Sequence, residues 1–373
     1  MKRSLFIIYI TIIMIFGTVS GTAYAFPEIT AKAAILIDAA SGRVLFEKNA
    51  HERLPQASTT KITTALLALE NADFSKQVQV PADFVNPGES SIYLEPGEVH
   101  SMETLLYALL LKSANDAADV IAIEIGGSIE QFAEMMNKRV KAMGLKNTNY
   151  VNPHGLYDER HYTSAYDLAM IAREGLKHEK FREIVATSRY DIPWEGNEYD
   201  RVAFNTNRLL KIYEGADGIK TGYTRQAGSC LVGSATRNGM QLIAVTLNCN
   251  GMYQEISALL DYGFTNYQKK TILKDDQSAG EIPVMGGILK SVHAVAKEPL
   301  AVALLPKEKD IMEQNIYLPE EIKAPIKKGQ RLGVAVIKIN ESTFFTTELV
   351  AAQKVEKSSF FAYLWDMFIS AII

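Results

Sequence analysis

Residues 58–69 read Ser-Thr-Thr-Lys-Ile-Thr-Thr-Ala-Leu-Leu-Ala-Leu. A helix is predicted here because apolar residues recur at positions i, i+3, i+4 and i+7, namely Ile62, Ala65, Leu66 and Leu69. If Ser58 opens this helix, its side chain and that of Lys61 project from one face, since residues three apart are neighbours on a helix. The stretch therefore predicts a helix whose first turn brings a hydroxyl and an amine together.

Strands are predicted on both sides of this helix. Residues 31–38 and 43–48 read as two strands joined by a turn, and residues 229–236 and 240–248 flank an Asn-Gly hairpin turn. Between these pairs, residues 58–186 show mainly helical periodicity. We expect an α+β domain in which distant segments close one sheet around a helical block.

The pattern of apolar and polar residues changes in the last part of the chain. Beyond about residue 275, short apolar segments such as 301–305 and 332–337 are separated by Pro, Lys and Glu, which predicts a separate small all-β domain. The expected division of the chain is a signal peptide at 1–25, a catalytic domain at 26–274, the β-rich domain at 275–352 and a membrane anchor at 353–373.

Composition excludes some classes of protein. With 373 residues, 47% hydrophobic and 22% charged, the chain is ordinary globular protein with room for two domains. Its 39 basic and 43 acidic residues give a net charge of -4, so no electrostatic footprint for nucleic acid is expected.

Cys230 and Cys249 could pair in an exported chain, but their offset positions on a predicted hairpin favour two free, buried thiols.

The N-terminus is typical of a secretory signal peptide. A basic Lys2-Arg3 precedes an apolar stretch from Leu5 to Phe16, and Ala23-Tyr24-Ala25 is a small-x-small cleavage signal. The alternative is an uncleaved anchor, since the apolar stretch is long, but the cleavage signal favours removal. We therefore expect an exported protein.

Residues 360–373 are apolar and rich in aromatics, yet too short to span a bilayer, which needs ~20 apolar residues. One helical stripe would carry Phe361, Leu364, Trp365, Phe368 and Ile372. Lys354 and Lys357 precede the stretch and could meet anionic headgroups. An amphipathic anchor lying on the membrane surface is expected. The alternative is a terminal helix docked on the protein's own core.

Three short motifs carry the chemistry: Ser58-Thr59-Thr60-Lys61, Ser113-Ala114-Asn115 and Lys220-Thr221-Gly222-Tyr223. A serine hydroxyl needs a base to act as a nucleophile, and a lysine can serve only if burial or a nearby cation lowers its pKa. Lys220 could be that cation. Singly, the motifs could be a helix cap, a loop and a strand end. Together, in this order, they indicate an acyl-transfer site.

With these motifs the chain resembles the low-molecular-mass penicillin-binding proteins, serine-type D-alanyl-D-alanine carboxypeptidases of the S11 type. The surrounding sequence fits the same family, at 55–57 (Pro-Gln-Ala), 152–156 (Asn-Pro-His-Gly-Leu), 161–165 (His-Tyr-Thr-Ser-Ala), 205–209 (Asn-Thr-Asn-Arg-Leu) and 215–219 (Gly-Ala-Asp-Gly-Ile). The resemblance implies a penicillin-binding, β-lactamase-like transpeptidase fold followed by a small β domain. It also implies a hydrolase that removes the terminal D-alanine from peptidoglycan pentapeptide stems, is inhibited by β-lactams and works at the outer face of the cytoplasmic membrane without a cofactor or metal.

The resemblance also implies the catalytic roles. Ser58 would attack the carbonyl between two D-alanines while Lys61 takes its proton, and the acyl-enzyme would then be hydrolysed by water. Ser113 would relay a proton to the leaving amine, helped by Lys220.

Substrate binding is implied for the remaining motif residues. Asn115 would bond the substrate amide, and Lys220 with Thr221 would hold the terminal carboxylate. Gly222 completes the third motif, and the backbone N–H groups of Ser58 and Tyr223 would form the oxyanion hole.

The chain departs from better-known relatives at two positions. Tyr223 stands where they carry histidine, although the role inferred for it uses the backbone. An arginine that faces the substrate in some relatives aligns with Thr206, and Arg208, two residues on, is expected to be structural. His154 and His161 have no metal-like spacing, so fold-supporting hydrogen bonds are expected for them.

Three rival functions share parts of this pattern. A β-lactamase would need a deacylating base such as the glutamate of a Glu-x-x-x-Asn segment, which the loop before the third motif lacks. An endopeptidase that cuts D-alanyl cross-links would share all three motifs. A non-turnover β-lactam sensor would need a spanning segment, for which the C-terminal stretch is too short.

Overall fold

A five-stranded antiparallel sheet lies at the centre of the N-terminal part of the chain. The computed structural model describes residues 26–274, 276–309, 311–339 and 343–358. The expected signal peptide and the apolar C-terminal stretch lie outside these residues.

The described helices run in chain order as α1 (Lys61–Asn71), α2 (Met102–Tyr107), α3 (Asn115–Gly126), α4 (Ile129–Ala142), α5 (Ala165–Gly175), α6 (Glu179–Ala186), α7 (Leu209–Ile212) and α8 (Met252–Asn266). A 3₁₀ turn at Ala57–Thr60 leads directly into α1, and a π-helical turn at Ala108–Lys112 continues α2.

The described strands are β1 (Ala33–Asp38), β2 (Val44–Lys48), β3 (Gln77–Gln79), β4 (Val99–Ser101), β5 (Arg189–Ile192), β6 (Arg201–Phe204), β7 (Ala216–Thr224), β8 (Gly228–Arg237), β9 (Met240–Leu247), β10 (Gln268–Leu273), β11 (Ser278–Met285), β12 (Ser291–Ala296), β13 (Leu300–Leu304), β14 (Met312–Tyr317), β15 (Ile322–Lys323), β16 (Arg331–Ile339) and β17 (Thr343–Ala351).

The central sheet has the order β2-β1-β9-β8-β7, so the N-terminal hairpin pairs with strands about 200 residues later in sequence. Strand β1 alternates between two cores: Ile35 and Ile37 face the helical block, whereas Ala34 and Leu36 face α8. Burial on both faces explains why β1 is apolar throughout. The predicted α+β fold is confirmed.

Helix α1 runs through the middle of the helical block. Every residue from Lys61 to Ala68 is buried, and α1 contacts α3, α4, α5 and α6. The predicted Asn-Gly turn joins β8 to β9, with positive φ at both Asn238 and Gly239 (49° and 73°), as a type I′ turn requires. Cys230 and Cys249 are free and buried, as expected.

The C-terminal part is built of β-strands. Its six-stranded sheet has the order β14-β16-β17-β12-β11-β15, and a separate pair joins β10 to β13. Strand β10 begins at Gln268, ahead of the expected domain start at 275. The apolar core of this C-terminal part includes the buried residues Ile282, Val292, Ile337 and Leu349.

A buried ion pair joins the two parts of the chain. The Arg43 guanidinium donates to both oxygens of Glu308 (2.8 and 2.5 Å) and to the Ala303 carbonyl (2.7 Å). The Ala303 amide in turn donates to Asp38 Oδ2 (3.2 Å). Such a bidentate contact fixes orientation, because the planar fork matches only one carboxylate geometry.

Among the described residues, no helix is long and apolar enough to cross a membrane.

Candidate active site

Ser58 and Lys61 meet at the start of α1, as the spacing predicts. The amine nitrogen Nζ of Lys61 lies 3.0 Å from Ser58 Oγ, 2.7 Å from Asn115 Oδ1 and 2.8 Å from the His154 carbonyl oxygen. Lys61 is fully buried, whereas Ser58 is partly exposed. The geometry combines an accessible hydroxyl with a nitrogen held by three oxygens.

Burial lowers the pKa of Lys61 well below its usual range, and the nearby Lys220 cation lowers it further. Asp119, Asp116 and Glu89 act in the opposite direction. A lysine depressed in this way can be a neutral amine near neutral pH, which is the form that accepts a proton. The sequence-based expectation that Lys220 acts on Lys61 is consistent with this electrostatic effect.

Two glycines allow the backbone around Ser58 to pack closely. A Cβ at Gly155, which has φ +92°, would lie 1.9 Å from the Ala57 carbonyl oxygen. A Cβ at Gly222 would lie 3.0 Å from both the Gln56 oxygen and the Ser58 nitrogen. Only glycine gives this approach without displacing the turn that carries Ser58.

The second motif lies where the π-helical turn ends and α3 begins. Ser113 is buried and adopts a left-handed conformation (φ 65°), which is uncommon outside glycine. Asn115 is the first residue of α3. Its backbone N–H donates to the Ser90 carbonyl (2.7 Å), and its side-chain Nδ2 donates to the Gly88 carbonyl (2.9 Å). Asn115 thus links the Lys61 amine to the loop around Gly88.

Asp116, the residue after Asn115, holds the loop that follows Gly88. Its carboxylate accepts from Ser91 Oγ (2.6 Å) and from the backbone amides of Ile92 and Leu94 (3.2 and 3.0 Å to Oδ2). These three donors tie the loop to the start of α3. Asp116 directly follows the second motif in the sequence but was not among the predicted site residues.

The third motif lies on β7, one of the two edge strands of the central sheet. The Lys220 amine is buried and donates to the Thr221 carbonyl (3.2 Å), and burial lowers the pKa of Lys220 to about 7. The Tyr223 side chain is 68% exposed. An edge strand keeps some backbone N–H groups unpaired with another strand, so a ligand can bond to them.

Thr206 lies beside this motif, with its hydroxyl 3.0 Å from that of Thr221. The Arg208 guanidinium stacks 5.4 Å from the centre of the Tyr253 ring, and the Tyr253 hydroxyl bridges the Thr206 carbonyl (3.3 Å) and the Arg208 amide (3.2 Å). Thr206 therefore contacts the third motif directly, and Arg208 is held by Tyr253.

Buried titratable groups pack behind Lys61. Burial raises the pKa of Asp119 to about 7, and its Oδ1 lies 3.6 Å from His154 Nε2. Burial lowers the pKa of His154 to about 3 and that of His161 to about 4. His161 Nδ1 accepts from the Val151 amide (3.2 Å), so the neutral ring donates from Nε2 to Thr60 Oγ1 (2.8 Å). Over the described ranges, no His, Cys, Asp and Glu cluster could hold a metal ion.

Comparison with known proteins places both parts of the chain. Residues 20–251 match the family described as D-alanyl-D-alanine carboxypeptidase, and residues 267–357 match the family described as penicillin-binding protein 5, C-terminal domain. The chain is 37% identical to D-alanyl-D-alanine carboxypeptidase DacF of Bacillus subtilis, over 90% of this chain and 88% of that protein.

Solved structures give the same answer for the fold. Penicillin-binding protein 5 of Haemophilus influenzae is similar with a TM-score of 0.70 and 29% identity, over 90% of this chain and all of that one. A peptidoglycan synthesis regulatory factor (PBP3) of Streptococcus pneumoniae reaches a TM-score of 0.73 at 28% identity, over 88% of this chain and 100% of that one.

Proposed function

The chain belongs to the serine-type D-alanyl-D-alanine carboxypeptidase family and is an enzyme of that class, and from this premise we propose that Ser58 and Lys61 carry the reaction. The substrate is the pentapeptide stem of peptidoglycan, from which the terminal D-alanine is released. The observation that supports this assignment most is the 3.0 Å contact between Ser58 Oγ and the Lys61 amine, whose pKa is lowered by burial.

In the proposed acylation step, neutral Lys61 takes the hydroxyl proton of Ser58 as Oγ bonds to the carbonyl carbon. The carbonyl π electrons move onto oxygen and form a tetrahedral oxyanion. When the oxyanion collapses, the bond to the leaving nitrogen breaks, and that nitrogen receives a proton from Lys61 through Ser113. Water then attacks the acyl carbon and gives a proton to Lys61, which forms a second tetrahedral intermediate. When this intermediate collapses, the bond from the carbon to Ser58 Oγ breaks, Oγ takes the proton from Lys61, and the acid product leaves.

The oxyanion is stabilised by two backbone N–H groups, those of Ser58 and Tyr223. The Ser58 amide lies in the turn before α1, where the helix N-terminus adds positive potential. The Tyr223 amide comes from edge strand β7, whose close approach to this turn depends on Gly222. Tyrosine can replace histidine here because the donor is the main chain.

The terminal carboxylate of the substrate binds to protonated Lys220 and to the Thr221 hydroxyl. Thr206 orients that hydroxyl through their 3.0 Å contact. Asn115 bonds the substrate amide, and Asn115 together with the His154 carbonyl keeps the Lys61 amine directed at Ser58. β-Lactams acylate the same serine, because their ring carbonyl takes the place of the peptide carbonyl.

The pH dependence of kcat/KM should be bell-shaped. Lys61 must be neutral to accept a proton, so activity falls as pH drops below its pKa. Lys220 must be protonated to bind the carboxylate, so activity falls as pH rises above its pKa of about 7. Lys220→Arg should move only the alkaline limb upward, since a guanidinium stays charged. Lys138→Arg on the exposed face of α4 is the control, and an active Lys220→Arg enzyme with an unchanged alkaline limb would refute the role.

The substrate is tested with a soluble pentapeptide and a cross-linked dimer. The proposal predicts free D-alanine from the pentapeptide and no cleavage of the dimer. Cleavage of the dimer at a comparable rate would make the protein an endopeptidase. Acylation by penicillin without release of D-alanine from the pentapeptide would support the sensor instead.

Export and membrane attachment complete the proposal. Residues 1–25 direct secretion and are removed, and residues 353–373 hold the enzyme on the outer face of the cytoplasmic membrane as a peripheral protein. The sequence patterns at both ends support this placement. Removal of residues 359–373, which leaves the described β domain intact, should lower the fraction of protein bound to the membrane, and an unchanged bound fraction would contradict the anchor.

A further inference from the structure

Three segments of the β domain meet where the described chain ends: residues 285–290, 323–328 and 354–358. Strand β11 pairs with β15 through Met285 and Lys323, and Ile326 bridges Val355. The Ile288 amide donates to the Glu356 carbonyl (2.9 Å), and the Ser358 amide donates to the Gly286 carbonyl (2.9 Å). We call this surface, formed by the three segments, the basic tip.

The basic tip exposes apolar side chains. Ile288 is 61% exposed, Leu289 41% and Met285 39%. All three lie on one short stretch that turns from β11 into β12. A contiguous group of exposed apolar side chains rimmed by polar residues is typical of an interaction surface.

Lysines surround these apolar residues. Exposed lysines are contributed by all three segments, at Lys290, Lys323, Lys327, Lys328, Lys354 and Lys357. The single carboxylate within the segments is Glu356, which pairs with Lys354 (2.9 Å), and Glu320 and Glu321 lie just before the second segment. The surface therefore combines apolar side chains with a clear excess of positive charge, which suits an anionic lipid surface.

The course of the chain points to the same partner. The described structure ends at Ser358 on the basic tip, and the apolar, aromatic stretch begins two residues later at Phe360. An anchor formed by that stretch would hold the tip within a few residues of the membrane. A short reach of this kind brings the lysines within a Debye length of the headgroups.

We propose that the basic tip is a second membrane-contact site, in which Ile288 and Leu289 enter the headgroup region and the lysines meet anionic lipid phosphates. The inference rests on the proposed membrane anchor and goes beyond it. Interfacial binding grows stronger with the apolar area that is buried and with attraction to anionic lipids, so a second contact would strengthen the attachment given by the anchor. The two contacts together would also fix the orientation of the β domain on the membrane.

The test is sedimentation of the full chain from Phe26 to Ile373 with phosphatidylcholine vesicles, with and without roughly one-third phosphatidylglycerol. Lys327→Glu/Lys328→Glu should lower the partition coefficient on anionic vesicles by about 10-fold or more and have little effect on neutral vesicles. Ile288→Ser/Leu289→Ser should weaken binding to both kinds. Lys138→Glu/Lys141→Glu is the control. It changes the net charge by the same amount on α4, in the N-terminal part of the chain, and should leave binding unchanged.

A tail variant separates this inference from the anchor. Leu364→Ser/Phe368→Ser should weaken binding if the anchor proposal is right. If this variant weakens binding but the tip variants equal the wild type, the tip proposal is overturned and the anchor stands. If the tail variant binds as well as the wild type, the anchor proposal fails. Release of D-alanine from soluble pentapeptide should be unchanged in every variant, which shows that the catalytic part is intact. Thermal unfolding like that of the wild type shows that the β domain is folded as well.

Discussion

Lys61→Arg is expected to reduce acylation of Ser58 by about 1,000-fold or more, because the site would lose its proton acceptor. Arginine keeps the positive charge and can still donate hydrogen bonds, but its pKa stays far above neutral pH. General-base catalysis contributes roughly 100- to 10,000-fold to such reactions. The measurement is the second-order rate of labelling by a fluorescent penicillin, alongside kcat/KM for the pentapeptide.

A second substitution keeps this result interpretable. Lys61→Met has similar length and no charge, so it removes the base without adding the bulk of a guanidinium to a fully buried site. Thermal unfolding of both variants reports whether the fold is intact. Lys138→Arg, at an exposed position of α4, is the matched control. If a folded Lys61→Met or Lys61→Arg enzyme is labelled within tenfold of the wild-type rate, Lys61 is not the base.

Gly155→Ala is expected to lower the free energy of unfolding by about 2–5 kcal/mol and to abolish most activity. The added Cβ would lie 1.9 Å from the Ala57 carbonyl oxygen, and the φ of +92° is itself unfavourable for alanine. Relief of the clash must move the Ala57–Thr60 turn, which carries Ser58. Urea unfolding and the rate of penicillin labelling measure the two effects.

Gly144→Ala separates the steric effect from the backbone effect. Gly144 also has a positive φ (+77°), but nothing lies within 4 Å of the added Cβ. It should therefore show only the backbone cost, about 1 kcal/mol, with normal labelling. Equal losses of stability in the two variants would mean that the contact between Gly155 and Ala57 does not position the nucleophile.

The features that could be predicted from the sequence are local ones. Ser58 lies in the 3₁₀ turn that leads into α1, and Lys61 is the first residue of α1, so their contact follows from a three-residue spacing on consecutive helical turns. The hairpin between β8 and β9 follows from its Asn-Gly turn. The fold class also followed, since helical periodicity separates two sets of strands.

The contacts that complete the site join distant segments, and neither periodicity nor spacing encodes them. Asn115 reaches Lys61 across 54 residues. Gly155 has a signal only as a glycine in an Asn-Pro-His-Gly turn, and nothing local indicates that it packs against Ala57. The pKa changes of Asp119 and His154 depend on burial, which becomes visible only in the folded chain.

Mapping the penicillin adduct tests the central claim, that Ser58 is the acylated nucleophile, most directly. The protein is labelled with a fluorescent penicillin and digested, and the modified peptide is identified by mass spectrometry. The account predicts one adduct, on Ser58, and neither label nor D-alanine release in Ser58→Ala. An adduct on another residue, or D-alanine release that persists in folded Ser58→Ala, would contradict it.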